Sequence, residues 1–299
     1  MKRAGCLLFA VAPVLVTATV CFATPEHTAT ADAKGPASVS RKAREKDRAK
    51  AERKADHEVV ADTPAGLAAP DKKELAQEIV ASAENSTLKW HEAYAYVEDI
   101  GDGQGYTAGI IGFCTGTHDL LTLVGRYTKE HPDNGLARFL PALREVDGTD
   151  SHEGLDPGFP AAWRHEATLA AFREAQDHER DSVYFDPAVR LAELDGLGTL
   201  GQFIYYDAMV MHGPGTSADG FYGLRERAVR EANPPSEGGD EKAYLDIFLD
   251  IRREAMKAKD PQRDTTRIDT AQRQFLHDGN LGLHTPLRWK VYGETYRVP

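Results

Sequence analysis

The sequence predicts a mainly α-helical chain that carries one small β-hairpin. Apolar residues recur at helical spacing through most of residues 71–299. One stretch breaks the pattern: "AYAYVEDI" and "YTAGIIGF" are rich in aromatic and β-branched residues, and the glycine-alternating "GDGQG" joins them. Strand formers on both sides of a glycine-rich turn read as a hairpin.

In chain order, "PDKKELAQEIVASAENS" places Leu75, Ile79 and Val80 on one helical face, with Asp71 near its start and Asn85-Ser86 as a polar end. The hairpin follows. "GTHDLLTLVGRYTKEHP" is a second helix, stopped by Pro132, and "NGLARFLPALREVDG" a third, kinked or broken at Pro141. "PAAWRHEATLAAFREAQDHERDSVYF" reads as one long amphipathic helix. "DPAVRLAELDGLGTLGQFIYYDAMVMHGPG" opens with Asp186 as cap and Pro187 in the first turn, then becomes almost wholly apolar, which predicts the buried central helix. "FYGLRERAVREANPP" and "DEKAYLDIFLDIRREAMKAKD" complete the set. The helices are expected to form two lobes, with a cleft where the hairpin meets the first helix. Trp90, Trp163 and Trp289 are expected as packing between helices.

Residues 1–23 read as a secretory signal: Lys2 and Arg3, a short apolar run, and a small-residue exit at Ala23. A membrane anchor needs about 20 uninterrupted apolar residues, and Pro13 interrupts a shorter run. Residues 24–70 are a charged spacer, disordered or partly helical, because "RKAREKDRAKAERKADHE" offers no apolar stripe to bury. Residues 71–299 remain as one catalytic domain of two lobes. Cys6 and Cys21 leave with the signal, so Cys114 stays without an internal partner and no disulfide is available. The formal net charge is −11. Residues 1–70 hold 11 Lys and Arg against 8 Asp and Glu, leaving 25 against 39 from residue 71 on, a net of −14. That surface disfavours nucleic acid and suits a cationic partner, although acidity also serves solubility.

The glycine-rich loop excludes several chemistries. The dinucleotide fingerprint G-x-G-x-x-G fails because Gly105 comes one residue early and a strand follows. Calcium would need carboxylates at alternating positions and a closing Glu. His91-Glu92 starts a zinc motif, but Ala95 stands where the second histidine is required. No G-x-S-x-G is present. Neither a metal nor a cofactor is expected. What remains is a carboxyl pair: Glu84 at a helix end among Ile79, Ala81 and Ala83, and Asp102 in a wet loop. Glycoside hydrolysis uses two such groups in unlike surroundings, one protonated and one ionised. Spacing alone leaves two readings open, since a glycine-rich turn with one Asp is ordinarily only a turn.

The block "LAQEIVASAENSTLKWHEAYAYVEDIGDGQGYTAGIIGFCTGTHDLL" resembles the family 46 glycoside hydrolases, the secreted chitosanases. The likeness continues through "DHERDSVYFDPAV", "LGQFIYYDAMVMHGPG", "EGGDEKAYLDIFLDIRREAM", "DTTRIDTAQRQFL" and "LRWKVYGETY", covering essentially residues 70–299. The resemblance implies a lysozyme-like two-lobed fold with a substrate cleft between the lobes. It implies endo-hydrolysis of β-1,4 links between glucosamine units with inversion, by a secreted, monomeric, extracellular enzyme without stable membrane insertion. By position, Glu84 resembles the general acid, Asp102 the general base, and Thr107 the hydroxyl that helps hold water. Asp119 resembles the carboxylate that recognises a glucosamine amine. Tyr96 and Tyr184 resemble cleft residues that contact sugar, and His212, Gly213 and Pro214 the opposite wall. Asp207 is implied to bridge Arg252 and Arg267 beneath the catalytic centre. Inversion would set the two carboxyls roughly 6.5–9.5 Å apart or more. Chitosan is a polycation at mildly acidic pH, so an acidic cleft fits it.

Three departures stand out. Where the family commonly reads G-D-G-R-G-Y-T, Gln104 replaces the arginine beside Asp102. Glutamine hydrogen-bonds but supplies no charge, so a less readily ionised base or weaker substrate positioning is expected, with activity retained. His118 beside Asp119 is unusual, and "KAKDPQR" matches poorly and is expected to alter one cleft edge. A non-catalytic chitosan- or wall-binding protein and a hydrolase of chitin or peptidoglycan are the competing readings. Intact Glu84, Asp102 and Thr107 argue against the first, and Asp119 with the acidic cleft against the second.

Overall fold

The structure is a computed structural model that describes residues 66–299. The signal reading and most of the spacer reading lie outside the described residues. The folded unit reaches back further than the charge pattern suggests. Leu67 is fully buried, and its backbone N–H donates to Gln202 Oε1 at 2.7 Å.

Helix α1, Pro70–Glu84, contributes to both apolar cores. Its Leu75, Ile79 and Val80 pack into the larger core and its Ala81 into the smaller. Pro70 sits in the first turn, where the missing N–H would have had no partner. Glu84 is the last helical residue, at the junction of the two lobes.

The smaller lobe follows. A 3-10 turn, Trp90–Ala95, feeds a three-stranded antiparallel sheet of β1 (Val97–Asp99), β2 (Tyr106–Ala108) and β3 (Phe113–Cys114). The expected hairpin is present and gains a third strand. Its register pairs Asp99 with Tyr106, the last pair before the loop, and sets Thr107 between Glu98 and Cys114. Around it lie α2 (Asp119–Glu130), α3 (Leu140–Val146), α4 (Phe159–Glu166) and α5 (Ala170–Arg180). Pro141 lies in the first turn of α3, so it starts that helix rather than breaking it.

Two long-helix expectations are corrected. Residues 160–185 are not one helix: α4 ends at Glu166, and Arg173 Nη1 donates to the carbonyls of Ala167 (3.0 Å) and Thr168 (2.7 Å), holding the chain in a turn before α5. A π turn, Asp181–Phe185, then leads into α6, Asp186–Leu194. The buried central helix is α7, Thr199–His212, and it is separate from α6. Gly196 adopts φ 77°, and the N–H of Leu197 closes on Ala192 O at 2.9 Å, an end that glycine makes without steric penalty.

The larger lobe adds α8 (Phe221–Glu231) and α9 (Glu241–Lys259), whose start Asp240 caps by accepting from the Ala243 N–H at 2.9 Å. A π turn, Ile268–Gln272, and α10, Arg273–His277, follow. The chain then forms a second hairpin, β4 (Leu287–Val291) with β5 (Glu294–Val298), which the sequence reading did not anticipate. All three tryptophans are buried, but Trp289 packs from β4, not from a helix, and donates from Nε1 to Ser82 Oγ at 2.9 Å.

Candidate active site

A cleft of about 430 Å³ opens where α1 meets the sheet. Glu84 and Asn85 line it from the helix end, and Tyr96, Ile100 and Thr107 from the sheet side. The fold therefore brings three of the predicted residues, Glu84, Tyr96 and Thr107, onto one surface. Glu92, noted in the sequence only as half of a failed zinc motif, also faces the cleft.

The loop between β1 and β2 carries Asp102. Gly101, Gly103 and Gly105 all take positive φ, at 70°, 82° and 66°. Gly105 has a second constraint: an added Cβ would lie 2.2 Å from Thr115 Oγ1. Asp102 is half-buried, and its Oδ1 accepts from the Gln104 N–H at 3.1 Å in an Asx turn. The Gln104 carbonyl accepts from Gly116 N (2.9 Å) and Thr115 Oγ1 (3.1 Å), so the loop is fastened to the start of α2 by its backbone.

Cys114 links two predicted residues. Its Sγ lies 3.3 Å from Thr107 Oγ1 and donates to Gly112 O at 3.1 Å, while its N–H donates to Asp119 Oδ1 at 2.8 Å. Burial pushes the thiol up to about 12, with Asp119 and Asp102 adding to the effect, so it stays a neutral donor. Asp119 Oδ1 also accepts from Thr117 Oγ1 (2.7 Å) and Leu120 N (2.9 Å), and Oδ2 accepts from Tyr184 OH (3.0 Å). Burial raises the Asp119 carboxyl above its ordinary value in spite of these donors. His118 points away to Asp147, with Nδ1 2.9 Å from Oδ2.

Beneath Glu84 lies a buried ion network. Arg267 Nη1 donates to Glu84 Oε1. The same guanidinium grips Asp207, with Nε 2.9 Å and Nη2 2.8 Å from Oδ1. Arg252 Nη2 (2.8 Å) and Gln272 Nε2 (2.5 Å) complete the cage at Asp207 Oδ2. Gln272 was not singled out in the sequence; it stands in "DTTRIDTAQRQF", five residues after Arg267. Burial alone would raise Asp207, but Arg267 and Arg252 reverse that and hold it at about 2. Burial works against the Arg267 cation, and Asp207 and Glu84 more than offset it, so its pKa is raised.

His212 ends α7 beside this network. Burial, then Arg252 and Arg267, holds its imidazole down at about 3. The ring is therefore neutral at mildly acidic pH and adds no cation to the site. Gly213 (φ 72°) terminates the helix, with its carbonyl accepting from Phe221 N at 3.0 Å, and exposed Pro214 follows.

The chain belongs to glycosyl hydrolase family 46, whose model matches residues 78–287. It is 55% identical over 234 residues to a chitosanase of Streptomyces sp. (strain N174), across 78% of this chain and 84% of that one. A solved chitosanase complex superposes with a TM-score of 0.77 at 51% identity, covering 79% of this chain and 100% of the other. The chitosanase of Gynuella sunshinyii in complex with chitotetraose gives a TM-score of 0.70 at 34% identity, covering 76% and 97%. The frame is thus the lysozyme-like, mostly helical fold of these enzymes, with its small antiparallel sheet.

Removing the charge of Asp207 would leave Arg252 buried without its carboxylate and Arg267 with Glu84 alone. Asp207→Asn is expected to cost about 3–5 kcal/mol, read from urea denaturation; a loss below 1 kcal/mol would mean the cage is not as desolvated as it looks. The pH dependence of stability has a defined sign. An unfolded histidine takes up its proton near 6.5, the folded His212 only at about 3, so the unfolded state binds more protons between those values. Stability should fall as pH drops through that window, and Asp207 adds a further loss from about 3.9 toward 2. His212→Gln should flatten the melting-temperature profile between about pH 6.5 and 4; an unchanged slope would remove His212 from the account.

Proposed function

We propose that this protein is a secreted endo-chitosanase that cleaves β-1,4 links between glucosamine units with inversion at the anomeric carbon. The observation that carries the proposal is that Glu84 and Thr107 line one cleft while Arg267 grips Glu84 from below. Glu84 in its protonated form gives its proton to the departing glycosidic oxygen. Arg267 orients the carboxyl and, by donating a charge-assisted hydrogen bond, stabilises the negative charge left on it. Asp102 takes a proton from a water on the opposite face of the sugar, and the Thr107 hydroxyl helps to hold that water.

The substrate class follows from charge. The net of −14 over residues 71–299 attracts a polycation. Asp119 is fixed by its donors and would meet a glucosamine ammonium as a ready-made ion partner. Because burial disfavours its charged form, an ammonium would stabilise the carboxylate most when bound. A neutral N-acetyl group could not, which favours chitosan over chitin. The apolar start of the chain supports export, and among the described residues no helix is long and apolar enough to cross a membrane.

Glu84→Gln and Asp102→Asn should each lower kcat on chitosan by about 10²–10⁴-fold, and proton NMR should show the α-anomer appearing first. Retention of the β-anomer, or near-native turnover in either variant, would sink the mechanism. Gln104→Arg should move the acidic limb of the kcat/KM profile to lower pH, because it places a cation beside Asp102. Superimposable limbs would show that position 104 has no electrostatic part in the reaction.

A further inference from the structure

We infer that His152 is a positioning residue for the loop that carries Asp102. The inference rests on the reading of Asp102 as the base. Asp99 and Tyr106 are cross-strand partners and form the last pair before the loop at 100–105. His152 engages both. Its ring stacks on Tyr106 with centroids 4.1 Å apart and planes 10° apart. Its Nε2 lies 3.1 Å from Asp99 Oδ2, and its Nδ1 lies 3.4 Å from Asp156 Oδ2. The Nε2 contact is off the line of an aligned hydrogen bond, so it is a close polar contact that sets the ring against the Asp99 carboxylate. Asp156 in turn accepts from the Tyr106 hydroxyl.

The result is a closed ring of contacts: β1 to imidazole to Asp156 to β2. The other Asp99 oxygen accepts from the Gly101 N–H at 2.8 Å, one residue before Asp102. A shift of Asp99 therefore moves the loop directly. On the far side of the loop, Gly105 abuts the backbone of Thr149 and Asp150, in the same segment that bears His152. Segment 149–156 is thus the wall against which the glycine-rich loop is set. The three glycines contribute no side chains to hold the loop, so the contacts of Asp99 and Tyr106 at its base add to the Asp102 turn and the Gln104 backbone ties. Misplacing a base by about 1 Å can cost on the order of 10²-fold in rate, so the clamp matters to turnover more than to binding. Asp119 and Tyr184 hold each other elsewhere and do not touch His152, so substrate capture should survive its loss.

The test separates ring from nitrogens. His152→Phe keeps the stack on Tyr106 and removes both ring-nitrogen contacts, to Asp99 and to Asp156. It should lower kcat on chitosan about tenfold, leave KM within about twofold, and speed amide exchange at residues 100–105 while α9 stays protected. His152→Ala, which also loses the stack, should lower kcat further and reduce the melting temperature. Native kcat in His152→Phe overturns the inference, as does a rise in KM at constant kcat. Exchange at 100–105 is independent of the base assignment: if Asp102→Asn proved active, the mechanism would fall, while unchanged exchange in His152→Phe would dispose of the clamp itself.

Discussion

Asp207 is the group around which the catalytic side of the molecule is organised. It is a carboxylate with 1% of its surface exposed, in the middle of a helix that is mostly apolar. Such a charge survives only if every lone pair is met, and Arg252, Arg267 and Gln272 meet them. A hydrophobic replacement of the whole cluster could be just as stable, because desolvation consumes most of the Coulomb gain. Stability is therefore a poor reason for its presence. Direction is a better one. The Nε hydrogen bonds to Asp207, with Nη2 in ion-pair contact beside them, orient the Arg267 guanidinium, and Nη1 is then aimed at Glu84.

The two carboxyls are placed by different physics. Glu84 stands at the end of a regular helix and is held by charge. Asp102 stands in a glycine-rich turn and is held by backbone hydrogen bonds and by what packs behind the loop. In the proposed mechanism, rigid support suits a group that meets one oxygen of the substrate. A loop with few side chains leaves room for water between base and sugar, as an inverting reaction would need. The neutral His212 and the neutral thiol of Cys114 fit the same scheme, since each fills space near the site without adding a competing charge.

Much of this was legible in the sequence, and the gaps have physical causes. The helical periods at 119–130, 221–231 and 241–259 were plain because each has one apolar face and a polar one, while that at 70–84 was marked by its apolar spacing and polar end although its second half is buried nearly all round. The join between α6 and α7 was hidden because α7 is apolar on nearly every face, so no change of period marks its start; Gly196 and Gly198 were the available signal. The second hairpin did carry a period of two, with Leu287, Trp289 and Val291 buried and Arg288 and Lys290 exposed. Its brevity and its place at the end of the chain obscured it. Glu84 and Asp102 stood out locally as a carboxyl pair in unlike surroundings, and Thr107 was reached only through the family resemblance. The contacts of His152 could not, because its partners Asp99 and Tyr106 lie 53 and 46 residues earlier and share no pattern with it.

The tie between Trp289 and Ser82 spans 207 positions, and that between Arg267 and Glu84 spans 183. Contacts of such separation close the largest loops in a chain and carry its largest loop-closure cost. The helix bearing Glu84 can wind early from local contacts, yet its final residue has no anchor until the distal segments dock. On the proposed mechanism, the carboxyl at the end of that helix is thus completed by topology: residues almost two hundred positions away must close on it before the acid has its support.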